Sequence, residues 1–299
     1  MRIFHALVAA LLLLPRAAFA GPAAEIVATG LDFPEGPVFV GQDLYFVDYT
    51  ASTVYRLDGH RAAPVWHQSG CGANGLVPYG DGLLVACYDG GTFQAIAPGG
   101  AALRTIDRDL EGGGFDRPND LARDGRGGVY LTASGGDGGT PGKVYYLARA
   151  QPRPRVVAGG FQNANGVALS PDGRVLYLAE SGTDKVLSFD VAVDGSLKNR
   201  RDFLLLDALL AGGPGARHTP DGLRTDAAGR LFVGLYNGRG FAVFDAGGRL
   251  LADVPLPGEH HASLALSPDG QFVYGTIADG APVAGHAGAL FRMRNPVAP

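Results

Sequence analysis

Apolar and polar positions along this chain fall into short runs rather than long helical stretches. In six places a turn rich in Gly or Asp leads into a run that is apolar or β-branched at almost every position: GQDLYFVD from Gly41, GDGLLVAC from Gly80, DGRGGVYLTA from Asp124, SPDGRVLYLAES from Ser170, TDAAGRLFVGL from Thr225 and SPDGQFVYGTI from Ser267. Gly and Asp-Gly supply the positive φ of tight hairpins, and the runs that follow suit strands. Aligning Tyr45, Leu84, Tyr130, Tyr177, Phe232 and Tyr274 gives intervals of 39, 46, 47, 55 and 42 residues, the spacing of four-stranded propeller blades.

The other strands repeat as well. A third follows each hairpin, from STVYRLD at Ser52 to GALFRMR at Gly288, and a fourth reads APVWHQ, ALRTID, PRVVAGG, RDFLLL and LADVPL. The sixth repeat runs out of chain before its fourth strand, and AEIVATG at Ala24–Gly30 is the spare that completes it. A two-sheet sandwich shares the composition but not this arithmetic. The pattern predicts an all-β fold, a single six-bladed β-propeller over residues 21–299 with four-stranded antiparallel blades, closed by the N-terminal strand joining the last blade. The longest interval holds Asp202–Pro220, read as a helical turn and a surface loop.

Composition agrees with a turn-rich chain: 47 Gly and 20 Pro among 299 residues, 46% hydrophobic. Net charge is −4 without a run of Lys or Arg, which argues against nucleic acid as a partner. Residues 1–20, MRIFHALVAALLLLPRAAFA, have a basic start, an apolar run and a small-x-small end at Ala18-Phe19-Ala20, the pattern of a cleaved secretory signal. The apolar run is too short to span a bilayer, so a periplasmic or secreted mature chain with no membrane insertion is expected. In that compartment Cys71 and Cys87 could pair, although a symmetric hairpin about Tyr79–Gly82 sets Cys71 opposite Gly90 and leaves two buried thiols as the alternative.

Candidate chemistry lies at the start of each blade's first strand, which lines the central channel. Counting back from the aligned residues gives Glu35, Asn74, Asn119, Asn165, Asp221 and Ala262, five of the six carrying a side-chain oxygen. A single Asn-Gly has a bland explanation in turn geometry. A ring of carboxylate and amide oxygens aimed at one point is what a hard cation selects, with calcium first and magnesium, manganese or zinc as alternatives. Such an ion also accounts for Glu35 amid the apolar LDFPEGPVFV, because an unpaired buried carboxylate is costly.

EGPVF at Glu35, RPND at Arg117, NGVALSPDGRVLYLAES at Asn165 and PDGLRTDAAGRLFVG at Pro220 together give the chain a family likeness. It resembles the senescence-marker-protein, gluconolactonase and luciferin-regenerating-enzyme group of six-bladed propellers, and ANGL with VAC at Val85–Cys87 resembles the bacterial gluconolactonase branch. The resemblance implies Glu35, Asn165 and Asp221 as metal ligands, Asp221 also as general acid or base, and Arg117 and Asn119 as substrate contacts, with Asn119 close enough in related propellers to serve as a further ligand; Asn74, in the same ring, is read as adding a hydrogen bond to the substrate. It implies a metal-dependent hydrolase of a small sugar lactone. An organophosphate or broad ester hydrolase on the same site, or a non-catalytic binding platform, are the alternatives. The chain departs from many relatives at Thr132-Ala133-Ser134, where they read Thr-Asp-Pro. Arg117 could instead form a loop salt bridge with Asp116 or Asp120, and His260 and His261 read as exposed loop residues, with assistance in proton transfer as the alternative.

Overall fold

Each of the six repeats folds as a four-stranded antiparallel sheet, and in the first five the strands lie side by side in chain order. In the sixth, Glu25–Leu31 from the N-terminal end of the described chain pairs with Gly288–Arg294 and becomes the outermost strand. The ends are thereby joined within one blade. The computed structural model describes residues 24–136, 138–210, 217–238, 240–279 and 287–298, so the secretory signal read at 1–20 lies outside the described residues.

Pro34–Val40, Ala73–Tyr79, Pro118–Arg123, Ala164–Leu169, Pro220–Thr225 and Leu264–Leu266 are the innermost strands. Each sheet is covered on both faces by its neighbours, which is why the second strands read as unbroken apolar runs such as Leu44-Tyr45-Phe46-Val47, all buried. Six apolar clusters fill the six blade-to-blade contacts. Leu84, Leu121, Leu131 and Tyr145 meet between the second and third blades, for example, and Phe232, Phe241, Val273 and Phe291 between the fifth and sixth. The insertion near residue 206 is a single helical turn, Leu206–Leu209, whose Leu206 joins the cluster between the fourth and fifth blades. Residues 211–216 of that insertion lie outside the described residues.

The loop entering an inner strand is tied to the end of the second strand in three blades by equivalent residues. Asp48 accepts the backbone N–H groups of Asp32, Phe33 and Ala51, and Glu180 accepts that of Gln162. In the second blade a covalent bond fills the same slot. Cys71 and Cys87 form a disulfide with Cα atoms 4.5 Å apart, which decides between the pairing and the two buried thiols that the sequence leaves open. The backbone register was read correctly, since Gly90 N–H does bond Cys71 C=O, but the turn after Cys87 folds back so that Cys87 and Gly90 both face Cys71. Reducing the bond, or making Cys71→Ser with Cys87→Ser, is expected to lower the melting temperature by roughly 5–10 °C, from about 3 kcal/mol for a loop of this length. An unchanged melting curve would show that the hydrogen bonds suffice.

Candidate active site

A β-bulge interrupts the first hairpin of five blades, and the break falls each time at the ring residue: Glu35/Val38, Ala73/Gly75, Pro118/Leu121, Ala164/Val167 and Pro220/Leu223. A bulge adds a residue to one strand and re-aims its side chain. The glycine after the ring residue, Gly36, Gly75, Gly166 or Gly222, packs against the next blade's backbone. A Cβ on Gly75 would lie 2.4 Å from Asn119 O, and one on Gly166 would lie 2.0 Å from Asp221 O, so glycine is required there for the inner strands to close around the axis.

Glu35, Asn74, Asn119, Asn165 and Asp221 line a single cavity of about 390 Å³ at one mouth of the channel. Glu35, Asn119 and Asp221 are buried. Asn119 donates its amide N–H to Ser134 Oγ (3.1 Å), which leaves its amide oxygen as an acceptor, and Asn165 lies close enough to Asp221 to favour its charged form.

In two opposite blades the small residue after the ring position is replaced, by Asp120 in the third and Ser263 in the sixth. The backbone there is held by buried threonines on the second strand: Thr132 Oγ1 accepts Asp120 N–H (2.9 Å), and Thr276 Oγ1 accepts Ser263 N–H (3.0 Å). Both replacements act on the ring. Ser263 Oγ donates to Glu35 Oε2 at 2.5 Å, giving the sixth blade the oxygen that Ala262 lacks. Asp120 Oδ2 accepts Val167 N–H and Arg224 Nη1, each at 3.1 Å, which sets an ion pair beneath the ring. Sequence reading took one residue per blade and passed over Asp120, Ser263 and Arg224. The available signal was Thr, found only at residues 132 and 276 among the six aligned second-strand positions.

Burial raises the pKa of Glu35 well above the carboxylate range, and the charge of Asp221 adds to the rise while the Ser263 bond opposes it. Asp221 is pushed up to about 8, by burial first and by the charge of Asp120 second. No cation forms an ion pair with either carboxylate among the described residues, since Arg224 is engaged with Asp120. The donor set fits a hard divalent ion. Two carboxylates would balance its charge, and because no three His, Cys, Asp or Glu side chains group together among the described residues, the remaining protein ligands would be the amide oxygens.

The wall is aromatic. Phe33 meets Tyr49 edge-on (5.7 Å), Tyr49 meets Tyr88 (5.9 Å), and Phe33 approaches Tyr236 (6.5 Å). His260 is stacked on Tyr236 at 4.1 Å, and His261 is buried with its Nε2 against Pro257 O (3.1 Å), so neither is the exposed loop residue the sequence suggested. Arg117 does not line the ring cavity. It sits at a positive φ of 59°, with its guanidinium 5.7 Å from the Tyr88 ring, in a neighbouring cleft. Its suggested partner Asp120 pairs with Arg224 instead.

Known proteins share this architecture. The lactonase drp35 of Staphylococcus aureus is 30% identical over 206 residues, 66% of this chain, and the chain spans 60% of that relative's length. The pentonolactonase XacC of Haloferax volcanii is 26% identical over 285 residues, covering 90% of this chain and 93% of the relative. Among solved structures, a gluconolactonase from Xanthomonas campestris superposes with a TM-score of 0.75 at 21% identity, covering 94% of this chain and 93% of its own. The family model described as the SMP-30/Gluconolactonase/LRE-like region matches residues 33–269, a span that runs from the loop before Glu35 to the turn of the sixth blade and takes in all five ring oxygens. By that match the chain belongs to the SMP-30/gluconolactonase/LRE-like family.

Proposed function

We propose that this protein is a divalent-metal-dependent hydrolase that opens a small lactone at the ring cavity. The observation that carries the reading is the pair of buried carboxylates, Glu35 and Asp221, sharing one cavity with three asparagines and no neutralising cation among the described residues. Glu35, Asn165 and Asp221 would hold the ion, with Asn119 within the same cavity as a further oxygen. Calcium suits this neutral and anionic oxygen set best. A bound ion supplies positive charge that polarises the lactone carbonyl and favours its oxyanion.

The residues of the chain account for the proton. With an ion seated beside it, Asp221 stays a carboxylate at neutral pH and accepts a proton from the attacking water as the water oxygen bonds to the carbonyl carbon. The ring C–O bond then breaks, and Asp221 returns that proton to the departing alkoxide, giving a hydroxy acid. Asn74 and Asn119 hydrogen-bond the bound lactone, the aromatic wall packs against its C–H faces, and Arg117 reaches the part that projects past Tyr88. The secretory signal pattern at residues 1–20 supports a site of action in the periplasm or outside the cell.

The test is turnover of a lactone, aryl-ester and phosphotriester panel with calcium, magnesium, manganese and zinc in turn. Lactones opened fastest support the reading; phosphotriesters preferred, or an ion bound without turnover, would replace it with an organophosphate hydrolase or a binding platform. Arg117→Ala is expected to raise KM about tenfold with kcat held within about threefold, because remote contacts act on substrate binding. Loss of ion affinity in that variant, measured by titration calorimetry, would contradict the assignment of Arg117 to substrate.

A further inference from the structure

A second cleft of about 320 Å³ adjoins the ring cavity, and Tyr88 and Asn163 line both spaces. Each space alone is at the small end of the range for small-molecule sites, roughly 300–1,000 Å³, and together they reach its middle.

The second cleft has a distinct chemistry. Part of its floor is bare backbone: Gly139 and Gly160 adopt φ of 84° and 83°, and a Cβ on either would meet nothing within 4 Å. The carboxamides of Gln162 and Asn163 and the hydroxyl of Thr140 make no hydrogen bond among the described residues, while the Gln162 backbone N–H is pinned to Glu180 Oε1 at 3.1 Å. Unused neutral donors and acceptors, an aromatic ring at one end and one stacked guanidinium suit a neutral polyhydroxyl group. A phosphate or carboxylate would call for more than Arg117.

We propose that this cleft binds a glycosyl substituent carried by the lactone, so that the preferred substrate class is the lactone of a disaccharide acid rather than of a single sugar. The inference rests on the lactone reading of the ring. The lactone ring occupies the ring cavity, the glycosidic link passes Tyr88 and Arg117, and the second sugar lies on the glycine floor against Gln162, Asn163 and Thr140.

Two lactones with the same reacting ring decide it: glucono-1,5-lactone and its 4-O-glucosyl derivative. The native protein is expected to favour the glucosylated lactone by about tenfold or more in kcat/KM, mainly through KM, since binding energy from the non-reacting sugar is available to it. Gln162→Trp, and independently Thr140→Trp on the other lip, should collapse that ratio to about one. A ratio near one in the native protein, or one that both tryptophan variants leave intact, overturns the cleft assignment while turnover of the simple lactone keeps the ring reading. Should neither lactone be opened, the ring reading falls. Calorimetric titration with the unreactive disaccharide alcohol cellobiitol then decides the cleft: binding weakened about tenfold by Gln162→Trp supports it, and no binding to the native protein ends it.

Discussion

Asp221→Asn is expected to lower lactone turnover about a thousandfold or more, the largest effect of any single substitution in the ring. The replacement keeps the size and shape of this buried side chain, so the packing of the fifth blade's inner strand is little disturbed. It removes the proton acceptor, commonly worth 10²–10⁴-fold, and half of the charge that would balance a divalent ion. Glu35→Gln separates the two losses. It takes away the same charge but leaves Asp221, so saturating ion should restore much of its turnover while doing little for Asp221→Asn. Ion affinity for both, measured by calorimetry, should fall. Turnover by Asp221→Asn within tenfold of the native rate at saturating ion would remove Asp221 from the chemistry.

Chelation is the second large effect, and its size should depend on pH in a defined direction. Glu35 and Asp221 have folded-state pKa values above those of an unfolded chain, with Asp221 near 8, so in the ion-free protein the native state binds protons more tightly than the unfolded state. Their contribution to stability is then full below about pH 4 and is lost as pH climbs toward 8. Other carboxylates, such as Asp124 bonded to Tyr146, have lowered values and act oppositely, but that gain is complete by about pH 5. Between about pH 5 and 8 the chelated protein should therefore melt at progressively lower temperature. Adding calcium should reverse the loss more strongly as pH rises, because protons compete with the ion for both carboxylates, raising the melting temperature at pH 8 by roughly 5–10 °C at a hundredfold excess over Kd. Lactone turnover should vanish on chelation and return with the ion. A gap between calcium-loaded and chelated melting temperatures that stays constant from pH 5 to 8 would mean that the ion does not sit between these two carboxylates.

The ring was legible because a propeller turns sequence period into spatial symmetry. Tyr45 and its five counterparts mark equivalent points, so counting back from each reaches Glu35, Asn74, Asn119, Asn165 and Asp221, and the structure gathers those five in one cavity. Counting failed where local geometry departed from the repeat. The residue after the ring position also acts on the ring in two blades, and a count of one residue per blade does not reach Asp120 and Ser263. The turn after Cys87 doubles back, which a symmetric hairpin does not allow for, so the sequence leaves the disulfide open and the structure decides it. His261 is a loop residue, three positions before the strand Leu264–Leu266, but it is buried rather than exposed as its sequence surroundings suggest.

Sequence by itself determined the six-blade architecture, the strand that closes it and the five oxygens of the ring, because hydrophobic period, turn chemistry and repeat length are properties of neighbours along the chain. The tertiary structure decided what those oxygens experience. The mutual repulsion of Glu35 and Asp221, the diversion of Arg224 to Asp120, the hydroxyl of Ser263 on Glu35 and the cleft beyond Tyr88 all arise between residues of different blades. Electrostatic energy and cavity shape depend on distance through space, and the close approach of inner strands at Gly75 and Gly166 sets that distance by contacts no single repeat contains.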